Sequence, residues 1–260
     1  MISRFRVLPA YYVFLVVLLY LPLMVLLLFS FNDGTALSFP LRGFTSDWYE
    51  GMLANGQLLG AARNSAVVGI GVSTVATVLG TLAAIALVRY KFPGKTLFLM
   101  VAVTPLLVPF LILGVALLIL FSALDVDRSL LTVGAAHVVV AIPYTVLIVA
   151  SRLVGFDRNL EEAAYDLGAS FPYFLRRVLV PLIAPAMLAA WLVAFTVSFD
   201  EFVLASFTIG REPTLPVFIF GQVRFANRFP QVVALASVVM ILSLGLVLLA
   251  QRLQSAWTRR

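Results

Sequence analysis

Residues 157–185 read DRNLEEAAYDLGASFPYFLRRVLVPLIAP, a polar interruption between two apolar runs that carries its own helix punctuation. Asn159 is placed to cap a helix, with Glu162 three residues on in the capping-box position. Leu160, Ala163, Ala164 and Leu167 then recur at i, i+3, i+4 and i+7, one narrow apolar face. Gly168 stands where a C-terminal stop belongs. Ser170 is a second N-cap, and a second short helix runs to Pro181, whose missing N–H and bulky ring are expected to end or kink it. The stretch is therefore a helix–glycine turn–helix element outside the lipid. One reading is an amphipathic loop resting on the membrane surface. The other starts from Ala163 and Ala164, whose small side chains let a second backbone approach closely and suit docking into a partner's groove.

The rest of the chain supplies the membrane. Of 260 residues, 62% are hydrophobic and 12% charged, with a mean hydropathy of +1.08. Soluble domains average roughly 45–50% apolar and about 25% charged. Apolar runs of the ~20-residue length that a bilayer core demands fall near 8–31, 64–88, 97–123, 130–151, 182–207 and 231–250. They are continuous rather than alternating, so helices and not a barrel are expected. The fold class is an all-α integral membrane protein of six transmembrane helices, forming one domain over 1–260 with a cytoplasmic loop at about 152–181. The first run follows Arg4 and Arg6 but exceeds the ~7–15 residues of a signal-peptide core and lacks a cleavage site, so it reads as a retained helix.

Orientation follows from the basic residues. With the N-terminus inside, twelve Lys and Arg fall on inner segments and six on outer ones, while four acids fall inside and eight outside. Both termini are thus expected in the cytoplasm, and 157–181 with them. Trp48 and Tyr49, in the longest outer loop, read as interfacial anchors. Small residues in the second run (Gly69, Gly71, Ser73, Thr74, Gly80) suggest close helix packing.

Several functions are excluded or disfavoured. Cysteine is absent, so there is no disulfide, thiol nucleophile or cysteine metal site. No basic run with interleaved aromatics suggests nucleic acid. Gly94-Lys95-Thr96 imitates the end of a phosphate-binding loop, but position 89, where the motif needs glycine, is Arg89, and no strand precedes it. The sole histidine, His137, lies within the fourth run and reads as an interhelical hydrogen-bonding residue, with no second ligand to complete a metal set. No nucleophile–base pair is recognisable, and catalytic residues are not expected.

Glu162-Ala163-Ala164, Gly168, Ala169-Ser170 and Pro181 resemble the cytoplasmic signature loop of ABC importer permeases, with Val178 and Val180 where the pattern has Ile and Leu. Asn64-Ser65, Arg89-Tyr90-Lys91-Phe92, Ser198-Phe199-Asp200-Glu201-Phe202 and Thr214-Leu215-Pro216-Val217 extend the resemblance to the polyamine-type branch. The resemblance implies a type I importer permease fold in the bacterial inner membrane. It also implies partners: a second homologous permease, a cytoplasmic ATPase dimer that binds ATP and Mg, and a periplasmic solute-binding protein. No cofactor is expected in this chain. The signature loop would be the coupling helix: Glu162 stabilises its start, Ala163 and Ala164 permit close approach, and Gly168 sets the angle between the short helices. The implied solute is a small cation, a polyamine such as spermidine or putrescine; another amine, an opine or an amino-acid-like solute is an alternative. An ion-coupled secondary transporter is a further one, though its inverted repeats and midplane carboxylates are missing.

Asp200 and Glu201 are the pathway candidates, since a carboxylate at membrane depth is costly and by default functional. They stand about 28 Å from Pro181 along a helix. Trp191, Phe195 and Phe199 recur at i, i+4 and i+8; they line the cavity beneath or pack against another helix.

Overall fold

The computed structural model describes residues 4–34, 38–157, 159–225 and 228–258, and side chains among them from Pro9 to Gly245. Arg158 of the quoted stretch lies outside the described residues. The chain divides into two compact units, Met1–Leu59 with Ile219–Leu246, and Gly60–Phe218 with Val247–Arg260.

In the first unit, α1 (Arg4–Phe29) is an apolar helix with Pro9 and Pro22 inside it. The loop after it closes on itself through an isolated bridge between Asn32 and Phe44. Trp48 and Tyr49, on or beside α2 (Asp47–Ala54), are not merely interfacial. The Trp48 indole donates to the Asn32 carbonyl at 2.8 Å, and the Tyr49 hydroxyl meets Ser30 Oγ at 2.6 Å. Both pin the loop back onto the end of α1.

The second unit is built on three long helices: α3 (Gly56–Arg89), α6 (Leu130–Val154) and the continuous span Phe171–Phe199. Their contacts use small residues. Ala76 and Ala84 of α3, Ala136 and Ala141 of α6, and Ala190 and Ala194 of the third helix are fully buried, the packing expected where helices must associate without a hydrophobic drive. At Gly80, a Cβ would lie 1.9 Å from Thr145 Oγ1, so α3 and α6 touch nearly backbone to backbone. The expectation of close packing along the second run is met here. Ser129 and Thr132 form a capping box at the start of α6, each satisfying a backbone donor that the helix leaves unpaired.

Three features depart from expectation. The third apolar run is not one span: α4 (Lys95–Val103) continues as a 3-10 turn (Thr104–Leu106), then α5 (Phe110–Ala123) leaves at 103°. Pro109 forces Val108 out of the helical region and cannot donate a bond of its own, so the helix must restart. Conversely, Pro181 does not end its helix. Leu175–Leu179 form a π-helical turn between α8 (Phe171–Phe174) and α9 (Val180–Phe199). The wider turn makes room for the proline ring and leaves no helical bond waiting for the missing N–H, so the helix runs on through 29 residues. The fifth run in turn stops at Phe199 rather than 207, and α10 (Val203–Thr208) starts anew. The described residues contain four helices long and apolar enough to cross a membrane, or five if the bent pair is one span. Beyond them lie α11 (Leu215–Gln222) and α12 (Phe229–Thr258).

Candidate functional site

The signature segment forms α7 (Asn159–Asp166). Asn159 is not its cap. It is already helical, and its N–H donates to Asp157 Oδ1 at 3.0 Å, so the capping oxygen comes from two residues earlier. Glu161 and Glu162 occupy the first turn, where the helix dipole favours negative charge. The far end is a Schellman stop: Ala169 N donates to the Ala164 carbonyl at 3.0 Å and Gly168 N to that of Tyr165 at 2.9 Å, with Gly168 at φ +79°. Only glycine adopts that conformation freely. Ser170 occupies the next N-cap position in extended conformation, but its side chain makes no capping bond; its carbonyl accepts from Phe174 N at 2.9 Å.

The expected apolar face is split. Ala164 turns inward, onto a core of Ala84, Ile85, Val149, Leu153, Phe174 and Leu179. Tyr165 rests on the Phe174 ring at 5.6 Å. Partial desolvation, then the nearby Glu161 charge, raise the Tyr165 phenol above its ordinary value, so it stays neutral at physiological pH. Leu160 and Ala163 face outward with Leu167, which is 89% exposed. A leucine displayed so fully at the turn closing an eight-residue helix has no reason within the unit. The two glutamates also divide: Glu161 ion-pairs with Arg89 at the end of α3, while Glu162 is exposed. Pro181, further along, is exposed as well.

At the other end of α9 the carboxylates part company. Asp200 ends the helix and is exposed. Glu201 is 7% exposed and is consumed by structure: Oε1 accepts from Leu204 N and Oε2 from Ala205 N, each at 3.0 Å. It thereby caps α10. His137, from α6, lies with Nε2 3.3 Å from Glu201 Oε2 and Nδ1 2.9 Å from Ser198 Oγ. The sequence reading of His137 as an interhelical residue holds, but a carboxylate does stand beside it. The pair is a buried brace, and among the described residues no three His, Cys, Asp or Glu gather as a metal set.

Trp191, Phe195 and Phe199 form a continuous ladder, with centroids 5.5 and 5.6 Å apart and rings stacked. One edge packs on α3: the Trp191 N–H reaches Thr74 Oγ1 at 3.1 Å, and a Cβ on Gly69 would come within 3.0 Å of the Phe195 ring. All three remain half-exposed, so the ladder both packs and presents a surface leading toward Asp200. Gly94, for its part, is an ordinary left-handed turn into α4 at φ +78°.

Sequence reasoning missed Arg89 and Glu161 as partners. Arg89 was legible as a basic residue closing an apolar run and as part of the family resemblance, not as one half of an ion pair.

The sequence pattern of the family described as binding-protein-dependent transport system inner membrane component matches residues 76–260. The spermidine/putrescine transport system permease protein PotC of Haemophilus influenzae is 38% identical over 251 residues, 96% of each chain. The putrescine transport system permease protein PotI of Escherichia coli K12 is 36% identical over 230 residues, covering 85% of this chain and 81% of that one. In three dimensions the chain is similar to a crystal structure of a bacterial ABC transporter involved in the import of the acidic polysaccharide alginate. That match has a TM-score of 0.76 and 14% identity over 96% of each chain, a likeness of fold alone. A family pattern across most of the chain, and relatives this similar across nearly all of it, settle the assignment: the chain belongs to the binding-protein-dependent transport system inner membrane components.

Proposed function

We propose that this chain is the membrane-spanning permease subunit of an ATP-driven importer that moves a polyamine to the cytoplasm by alternating access. The observation that carries the solute class is the near full-length similarity to two polyamine permeases. The protruding α7 carries the mechanism. Both termini and α7 lie on the cytoplasmic side in this reading. ATP binding and hydrolysis occur in a separate ATPase dimer whose groove receives Leu160, Ala163 and Leu167, and the second permease completes the cavity. A periplasmic binding protein delivers the solute to the outer end, near Asp200.

In this mechanism the closing ATPases displace α7, the helical bundle behind it follows, and the cavity opens outward. Coupling of this kind requires α7 to make different contacts in the two states. Asp200 replaces hydration that an entering ammonium loses, and the ladder of Phe199, Phe195 and Trp191 offers ring faces to alkylammonium groups along the way. Glu201, taken up by the start of α10 and by His137, stays out of solute contact. Asp200→Asn is expected to lower ATP-driven putrescine uptake about tenfold or more, from the loss of one charge-assisted contact, with permease abundance unchanged. Unchanged uptake removes Asp200 from the pathway.

A further inference from the structure

Arg89 closes α3, yet its side chain is only 10% exposed. Nη1 ion-pairs with Glu161 Oε2 on α7, and the guanidinium sits 4.6 Å from the centroid of the Phe156 ring. Nε and Nη2 are buried with no hydrogen-bond partner. A half-satisfied buried guanidinium is costly, and an apolar side chain of similar volume serves stability at least as well. What the pair supplies is geometry.

The helix α7 hangs from the bundle by two short joints, Gly155–Asp157 on one side and Gly168–Ser170 on the other. Gly168 is in the left-handed conformation with open space where a Cβ would be. Between the joints Ala164 rests on the core and Tyr165 on the Phe174 ring, apolar contacts without a fixed direction. The Arg89–Glu161 pair adds a directional tie, to a helix 72 residues away in sequence. Toward the start of α3, about 37 Å away at 1.5 Å per residue, Asn64 Nδ2 donates to the Pro213 carbonyl at 3.0 Å. Beside it, Leu215 N donates to the buried Ser65 Oγ at 2.8 Å. These bonds fasten the segment that begins at Asp200. One helix thus carries the latch to α7 at one end and the fastening of the outer segment at the other.

We infer that Arg89 is a positioning residue that makes α7 and α3 move as one body, so that displacement of α7 reaches the Asp200 segment instead of dissipating in local pivoting. This rests on the reading of α7 as the ATPase-docking element. The test uses the complete importer in proteoliposomes, with putrescine uptake and ATP hydrolysis measured in the same vesicles. Arg89→Gln and Glu161→Gln should each lower putrescine moved per ATP about tenfold, within the usual span of coupling energies, while hydrolysis stays within about twofold. The charge-reversed pair Arg89→Glu with Glu161→Arg should recover most of that ratio. A wild-type ratio in the single variants overturns the inference. So does a proportional fall of uptake and hydrolysis in both, the mark of a purely structural pair. If Arg89→Gln fails to assemble, Glu161→Gln decides alone, since Glu161 is partly exposed. Failure of the underlying reading looks different: Ala163→Asp then leaves ATP-driven uptake at the wild-type level.

Discussion

Ala163→Asp should abolish ATP-driven uptake while leaving the permease in the membrane at normal abundance. Ala163 is exposed on α7, between Leu160 and Leu167 and pointing away from the core. Its replacement costs the isolated helix only about 0.5–0.7 kcal/mol in propensity, too little to unfold the bundle. In a docked complex the new carboxylate is buried against the partner without a counter-charge, and an unpaired buried charge costs several kcal/mol. Three kcal/mol is already more than a hundredfold in binding, so the ATPase no longer grips. Ala164→Asp should fail differently. Ala164 packs on the core, so its substitution should reduce the amount of folded permease itself. Uptake assays set beside membrane immunoblots separate the two. Normal uptake by Ala163→Asp contradicts the docking assignment.

Gly80→Leu should remove most folded permease, through packing rather than coupling. A Cβ at Gly80 would lie 1.9 Å from Thr145 Oγ1, 2.7 Å from Thr145 Cβ and 3.1 Å from Val146 N. Thr145 cannot yield cheaply: it is β-branched, and its one hydroxyl proton is shared between the Ala76 and Ile142 carbonyls, each 2.8 Å from Oγ1. Even Gly80→Ala should cost about 1–3 kcal/mol as α3 and α6 are forced apart, and leucine more. The control is Gly71→Ala on the same helix, where a Cβ meets nothing within 4 Å and the gain in helix propensity should leave stability equal or higher. Thermal unfolding in detergent measures both. Equal midpoints for Gly80→Ala and Gly71→Ala would show that the helices are not in close contact there.

The parts legible in the sequence were those written locally. Gly168 marked the end of α7 because a left-handed stop needs a residue without a Cβ, and the small residues of the second run marked a close helix contact. Pro109 and Pro181 were visible, but a proline does not announce its outcome. At Pro109 the chain breaks and turns, whereas at Pro181 a π-turn upstream absorbs the ring. The periodicity of Leu160, Ala163, Ala164 and Leu167 identified a helix but could not say that Ala164 alone would turn inward, because that depends on where Phe174 and Leu153 sit. Asp200 and Glu201 looked equivalent as neighbours. They differ because His137, far upstream, and the start of α10 claim only Glu201. The pairing of Arg89 with Glu161 escaped notice for the same reason, the two being distant in sequence.

The chain has no cysteine, so a single introduced one reports on one place. Leu167→Cys, in the exposed turn that closes α7, in the assembled importer with a short-range cross-linker, is the most direct test of what α7 touches. A product joining the permease to the ATPase is expected from this position, and none from Leu131→Cys, which is 85% exposed at the opposite end of α6. No ATPase product from Leu167→Cys, or an equal yield from both positions, contradicts the docking of α7.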